Sequence, residues 1–328
     1  MLLLSKDDIK KIFTMKDAID TNKISFKLFS EGKSEVPLRT TIQAPNHNGV
    51  FVFMPSYVEE LDSAVLKVVN IFPENFKENL PTAPSQVLLI DGKTGIVSSI
   101  LDGTYVTQLR TGASSGAAFD LFAIKGAKIG ALIGTGGQAS AQLEAMMVAR
   151  DLDTIKVYDL NKERTEAFVN EMKDKLKGYR TKIVVANSSD EAIHDADLIV
   201  TVTPSTKPVF DGTKVKEGAT ISCVGSYQHH MQEMDPAILP RASKIYFDSK
   251  EAVLSEAGDI IIPLEQGIIS KEDLTGDIGD VLLGKVVGRE NDDEIIVYKN
   301  VGIGLLDLMT ARAIYMKAKE SNIGIEWN

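Results

Sequence analysis

Three cationic side chains in the first half of this 328-residue chain each stand inside an otherwise uncharged stretch: Arg39 in VPLRTTIQ, Lys67 in AVLKVVNIFP and Arg110 in VTQLRTGASSGAA. A cation is expensive to bury alone. Lys67 is flanked by Ala64, Val65, Leu66, Val68 and Val69, so on a strand its stem packs against apolar neighbours. A fixed anion offsets the cost of burying such groups, and together the three read as an anion clamp. The competing account of each is a plain ion pair, or a stem laid on the surface with its head in water. Arg110 precedes Thr111 and a run of Gly, Ala and Ser, the composition of a closely packed helix near a ligand.

A second constellation is KIGALIGTGGQASAQLEAMMVARDLDTIKVYDLNKERT, residues 128–165. A strand that turns at Gly134 lets the backbone approach a pyrophosphate at Gly136, with Thr135, Gly137 and Gln138 completing the turn, while small Ala139 lets the next helix pack close to the sheet. The start of that helix offers N–H groups to the phosphates. Asp159 ends the second apolar run, where a carboxylate accepts hydrogen bonds from both hydroxyls of an adenosine ribose, which favours NAD over NADP. Asn161, Lys162 and Arg164 follow closely and leave NADP open as a second cofactor. Strand, turn, helix, strand and acid arrive in the order a dinucleotide site requires; the alternative is an ordinary βα turn.

These residues need a scaffold, and hydrophobic periodicity supplies its outline. From 126 to about 250 the pattern alternates: strands at 128–133, 154–160, 182–187, 197–202, 219–224 and 244–248, with helices at 137–150, 161–177 and 189–195. That is a doubly wound parallel sheet of the Rossmann type, in an α/β chain. Residues 1–120 mix an opening helix with strand-like runs at 36–43, 50–54, 64–70 and 86–91 and a small-residue helix at 104–120, an α+β pattern. The stretch 305–320, LLDLMTARAIYMKAKE, has helical spacing and basic residues in its final turns.

Composition narrows the function. With 44% hydrophobic and 25% charged residues the chain reads as an ordinary globular protein too long for one small core. A net charge of −10 without any basic stripe argues against nucleic-acid and anionic-membrane partners. No run approaches a membrane span, and MLLLSKDD resembles no signal or transit peptide, so the cytoplasm is the expected compartment. The one cysteine, Cys223, excludes an intrachain disulfide and a multi-cysteine zinc site. His229 and His230 are adjacent and cannot face one metal as an i, i+4 pair does, so no metal is expected. His47 and His194 read as loop and surface residues. Glu251, Glu256 and Asp259 lie in a segment able to line a cleft, with solvated carboxylates as the expectation. Ser114 and Ser115 lack any nearby His and Asp pattern, which rules against a hydrolase.

VPLRTTIQ, FMPSY, AVLKVVNIFPEN, LLIDGKTGIVSSILDGTYVTQLRTGASSGAA, LIGTGGQA, VTVTPSTKPVF and VYKNVGIGLLDLMTARAIY stand in the order found in the ornithine cyclodeaminase and mu-crystallin family, which the chain resembles over nearly its whole length. The resemblance implies a Rossmann domain at 121–304. It also implies an α+β substrate-binding and dimerisation domain at 1–120 completed by 305–328, and therefore a homodimer. It places the carboxylate of an amino or imino acid against Arg39, Lys67 and Arg110, and extends the substrate pocket to Val52, Met54, Val301 and Gly302. Around the dinucleotide it adds Thr111, Thr203, Ser205, Val224 and Ser226 to the glycine loop.

Members of that family exchange a hydride between a nicotinamide and a carbon bearing nitrogen and carboxylate. Two departures from the cyclodeaminase pattern each remove a carboxylate. Tyr227 stands where cyclodeaminases carry an acid that assists proton transfer; a phenol with a pKa near 10 cannot replace a carboxylate base, though it can donate a proton or a hydrogen bond. Val52 stands where ornithine users carry a Glu for the distal amine, and an apolar wall leaves an ammonium unpaired. The expectation is reduction of a cyclic ketimine, Δ1-pyrroline-2-carboxylate or Δ1-piperideine-2-carboxylate, with Lys67, Tyr227 and Asp307 as candidate catalytic residues. Cyclodeamination of ornithine is the alternative, with Asp307 as the acid that would move in. A binding protein of mu-crystallin type without turnover is a further one.

Overall fold

The computed structural model of the protein describes residues 1–78 and 80–327. The chain divides into two compact units, Met1–Arg110 with Ile303–Asn328, and Thr111–Gly302. The first opens with β1 (Leu2–Leu4), α1 (Lys6–Ile12) and α2 (Met15–Ser30), and continues through β2 (Thr40–Ala44), β3 (Gly49–Val58), β4 (Ser63–Ile71), β5 (Ser85–Asp91) and β6 (Val97–Asp102). The helix α3 (Gly103–Phe122) carries the boundary between the units. The second unit holds β7 (Ile129–Ile133), α4 (Ala139–Ala149), β8 (Thr154–Tyr158), α5 (Lys162–Lys175), β9 (Lys182–Val185) and α6 (Ser189–Ile193). It goes on through β10 (Leu198–Thr201), β11 (Thr220–Cys223), β12 (Lys244–Phe247), α7 (Lys250–Glu256), α8 (Gly258–Glu265), β13 (Gly276–Asp277), α9 (Ile278–Leu282) and β14 (Ile296–Lys299). The chain ends in the first unit with α10 (Gly304–Ser321) and β15 (Ile325–Glu326).

In the first unit the strands form one sheet in the order β15-β1-β6-β5-β4-β3-β2. Neighbours are antiparallel except β1 and β6, which run parallel. Asn48 and Asp62 adopt the left-handed conformation where β2 turns into β3 and β3 into β4, which short polar side chains tolerate best. Strand alternation gives the sheet two rows across its width. Met54, Lys67, Val87, Leu101 and Leu4 are register partners in series and all are buried, on the face where α10 packs against β3, β4 and β5. Pro55, Leu66, Leu88, Ile100 and Leu3 form the next row, pointing the other way, and stay half-exposed although all five are apolar. The strand expected at 36–43 begins only at Thr40. Pro37 has no N–H to give to a ladder, and Val36–Arg39 precedes the strand rather than forming part of it.

The second unit is an all-parallel sheet in the order β13-β12-β14-β11-β10-β7-β8-β9. Read from one edge, its third, second, first, fourth and fifth strands are β9, β8, β7, β10 and β11, the order of a Rossmann sheet, with β14 next in line. Its central strands are buried on both faces, as Ile199 and Ile221 on one side and Leu198 and Val200 on the other illustrate. Ser114 and Ser115 of α3 bond to Tyr298 and Ser222 at 2.8 Å each, so both serve packing. Among the described residues no helix is long and apolar enough to cross a membrane, and no cluster of His, Cys, Asp and Glu is able to hold a metal.

Candidate active site

In the first unit Lys67 sits on the inner row of the sheet with its side chain fully buried, and α10 brings Asp307 to it: Lys67 Nζ donates to Asp307 Oδ2 at 2.6 Å. The other carboxylate oxygen, Oδ1, accepts from Arg110 Nε of α3 at 3.1 Å. Asn22 of α2 donates its side-chain amide to the Arg110 carbonyl at 2.8 Å, fixing the turn of α3 that carries the guanidinium. Arg39 is half-buried just ahead of β2, close enough for its charge to act on Lys67. Burial pushes the Lys67 ammonium down to about 7, Arg110 and Arg39 add to that by repulsion, and Asp307 opposes it. Val52 and Met54 line the same buried face, Met54 directly opposite Lys67 in the register. Each oxygen of Asp307 faces one cation, so the acid is the counter-ion of Lys67 and Arg110.

In the second unit the glycine loop has the geometry its residues suggest. Gly134 has φ +105°, and a Cβ there would lie 2.7 Å from the Val202 carbonyl oxygen, so only glycine fits this turn. At Gly136 the nearest atom to such a Cβ is the end of the Arg164 side chain at 3.7 Å, and at Gly137 nothing lies within 4 Å, which leaves the loop open on its outer side. Ala139 is fully buried, and no side chain caps α4 at Gln138. Asp159 follows β8 and accepts from the Thr135 N–H at 2.9 Å and the Thr135 hydroxyl at 2.8 Å on one oxygen, and from the Asn161 N–H at 3.3 Å on the other. Arg164 lies 3.6 Å away. Burial raises the Asp159 carboxyl, but the Thr135 bonds, Asn161 and Arg164 outweigh it, and the group titrates below the usual carboxylate range. An open diphosphate cradle, an uncapped helix start and an ionised acid at the next strand end fit a dinucleotide carrying free ribose hydroxyls.

The remaining candidates take more varied positions. Asn161 spends its side chain as the N-cap of α5, accepting from Arg164 N–H at 2.9 Å. The Thr111 carbonyl accepts from Gln142 at 3.1 Å. Ser205 closes its own turn onto the Lys207 carbonyl at 2.6 Å. Val224 is buried at the end of β11, and Ser226 is wholly internal, donating to the Met231 carbonyl at 2.8 Å. Tyr227 is half-buried in the loop after β11. Val301 and Gly302 are held by Asp248, whose buried carboxylate accepts both N–H groups and that of Ser249. Burial pushes Asp248 up to about 6 against the pull of those N–H groups.

Four charged residues of this unit have roles that the sequence reading does not anticipate. Glu233, Asp259 and Lys299 are fully buried and Asp248 nearly so; Lys299 ends β14, Asp248 follows β12, Glu233 lies in the segment after β11 and Asp259 in the first turn of α8. Asp259, expected as a solvated carboxylate, is instead paired with Lys299 at 3.1 Å. A usable signal existed: Lys299 in IIVYKNVG is a lone cation in an apolar run, the pattern that singled out Lys67.

The sequence profile of the ornithine cyclodeaminase/mu-crystallin family matches residues 1–322. The chain is 36% identical to a Δ1-pyrroline-2-carboxylate reductase of Bacillus cereus, over 99% of this chain and 98% of the relative. Among solved structures, the Δ1-pyrroline-2-carboxylate reductase of Thermococcus litoralis in complex with NADH and L-proline superposes with a TM-score of 0.95 at 38% identity, covering 100% of both chains. An archaeal alanine dehydrogenase dimer with bound NAD gives 0.90 at 32% identity, covering 100% of this chain and 99% of that one.

Proposed function

The chain belongs to the ornithine cyclodeaminase/mu-crystallin family, and on that premise we propose that it is an NAD-dependent reductase of Δ1-pyrroline-2-carboxylate, forming proline, with the six-membered Δ1-piperideine-2-carboxylate as a homologous substrate. The observation that carries the reading is the buried Lys67–Asp307–Arg110 cluster in apolar surroundings. Asp307 cancels one of the three cations and, with the Lys67 ammonium pushed down to about 7, the cluster keeps a net positive charge near neutral pH, which one substrate carboxylate complements. The wall at Val52 offers no partner to a distal ammonium, which favours a neutral ring over ornithine.

Arg39 and Arg110 hold the carboxylate. The imine carbon gains a hydride and the imine nitrogen a proton, so each turnover consumes one proton with one reduced cofactor. NADH, held at residues 134–139 and Asp159, supplies the hydride when bound. Lys67 is the proton donor: the arriving carboxylate raises its affinity for a proton, and reduction leaves a more basic amine to receive it. Tyr227 is a second donor.

We also propose a homodimer, formed through the outer row Pro55, Leu66, Leu88, Ile100 and Leu3, because a half-exposed apolar stripe across a sheet calls for cover. Leu66→Asp is expected to convert the dimer to monomer in light scattering; an unchanged mass would place the interface elsewhere. The reading places the enzyme in the cytoplasm. Its direct test follows NADH absorbance with each cyclic imine, alongside ammonia release from L-ornithine with NAD. Imine-dependent loss of NADH without ammonia is expected. Ammonia release at a comparable rate would make the protein a cyclodeaminase, and no turnover in either assay would make it a binding protein.

A further inference from the structure

Two carboxylates and one ammonium with no exposed surface are a costly way to fill a protein interior, and apolar packing of the same volume is often as stable or more so. Glu233, Asp259 and Lys299 are such a group. Their bonds account for them. Asp259 Oδ1 accepts the N–H groups of Glu233 and Met234 at 2.8 and 2.9 Å, and its Oδ2 faces Lys299 Nζ at 3.1 Å. Lys299 donates to the Cys223 carbonyl at 3.1 Å. The segment bearing Glu233 is thereby locked, and its side chain reaches two loops at once. Oε2 accepts the Thr203 N–H at 2.7 Å and the Thr203 hydroxyl at 3.0 Å, and Oε1 accepts the Gly225 N–H. Gly225 is pressed so close that a Cβ there would lie 2.0 Å from the Thr203 carbonyl oxygen. Burial and the charge of Asp259 raise the proton affinity of Glu233, and Lys299 with the N–H donors opposes them.

Thr203 and Gly225 belong to the loops that leave β10 and β11, adjacent parallel strands on the far side of β7 from β8 and β9. In a sheet of this order a dinucleotide lies across the C-terminal ends of the strands, with its adenosine half toward β7 and β8 and its other half toward β10 and β11. We propose that Glu233 is a positioning residue for the nicotinamide half of the cofactor, its carboxylate holding the Thr203 and Gly225 backbones at the separation that half requires. The inference rests on the dinucleotide reading above and deepens it.

The test measures dissociation constants of NADH and of ADP-ribose, which lacks the nicotinamide, for the full-length protein and for Glu233→Gln and Thr203→Val by calorimetry. The glutamine brings an N–H against N–H donors, and the valine removes one bond to Glu233 while leaving its charge. For Glu233→Gln the NADH constant is expected to rise about tenfold or more while that of ADP-ribose stays within about twofold, with a smaller NADH-selective loss for Thr203→Val. Equal weakening of both ligands with a lowered melting temperature, or no weakening, overturns the proposal. If Glu233→Gln does not fold, the selectivity of Thr203→Val alone decides it. If the unsubstituted protein binds neither ligand, the dinucleotide reading falls and takes this inference with it.

Discussion

Lys67→Met lowers turnover of Δ1-pyrroline-2-carboxylate by roughly a hundredfold to ten-thousandfold, the range of a lost general acid, while NADH binds as before. The substitution is benign to the fold. Methionine is apolar in a row that already holds Met54, Val87 and Leu101, and Asp307 keeps Arg110 as its partner. Stopped-flow NADH oxidation at saturating imine separates the loss of chemistry from loss of binding. The pH profile carries the same signature. With the Lys67 ammonium pushed down to about 7, the unsubstituted enzyme loses kcat/KM for the imine as pH rises through neutrality, because the deprotonated amine has no proton to give. The variant lacks that lysine-dependent part of the decline. Activity within about tenfold of the parent enzyme with an unaltered profile would remove Lys67 from the proton path.

Asp307→Ala has the largest expected effect on stability. It leaves Lys67 and Arg110 buried without their counter-ion, a change that costs about 3–5 kcal/mol when one partner of a buried pair is removed. The loss depends on pH with a definite sign. Asp307 raises the proton affinity of Lys67, so its removal drops the ammonium below its present value of about 7. The folded variant then binds fewer protons than the folded parent just below pH 7. Its deficit is therefore larger at about pH 5.5 than at about pH 8. Thermal melts at the two pH values, with and without L-proline, measure this, and an added carboxylate is expected to restore part of the loss by binding only the folded state. A variant that melts within a degree of the parent at both values would mean that the two cations find water or another partner.

The parts of this protein that sequence makes legible are those where backbone geometry dictates residue type. Gly134 must be glycine because φ is positive and a carbonyl stands where its Cβ would be; Ala139 must be small because α4 packs on the sheet. The parallel sheet is legible in the sequence because its central strands, such as β10 and β11, are buried on both faces, which leaves continuous apolar runs. Lys67 and Arg110 stood out because a charge inside such a run needs an explanation. The limits are equally physical. Asp307, Asp259 and Glu233 have counterparts far away in sequence, and a carboxylate in a helix or loop looks the same whether water or a buried ammonium faces it. β1, β6, β13, β14 and β15 are not legible in the sequence: β1, β13 and β15 are too short for a periodicity, and β14 is entered from a long charged loop that hides its apolar run. The strand start at Thr40 turned on one imino acid, Pro37, inside a run whose side chains otherwise suit a strand.

The first unit is written in two pieces, and this sets an order of events at the ribosome. β1 pairs with β6 on one side and with β15 on the other, and Met1 bonds to the carbonyl of Trp327, so β1 waits for a strand made more than three hundred residues later. Asp307 likewise follows Lys67 by 240 residues and Arg110 by 197. The sequence of the second unit is meanwhile complete and contiguous, free to fold as soon as it emerges. The clamp therefore comes together only after α10 has been made, and a product terminated before α10 would release an orphaned sheet with two uncompensated cations, a natural client for chaperones and proteases rather than a partial enzyme.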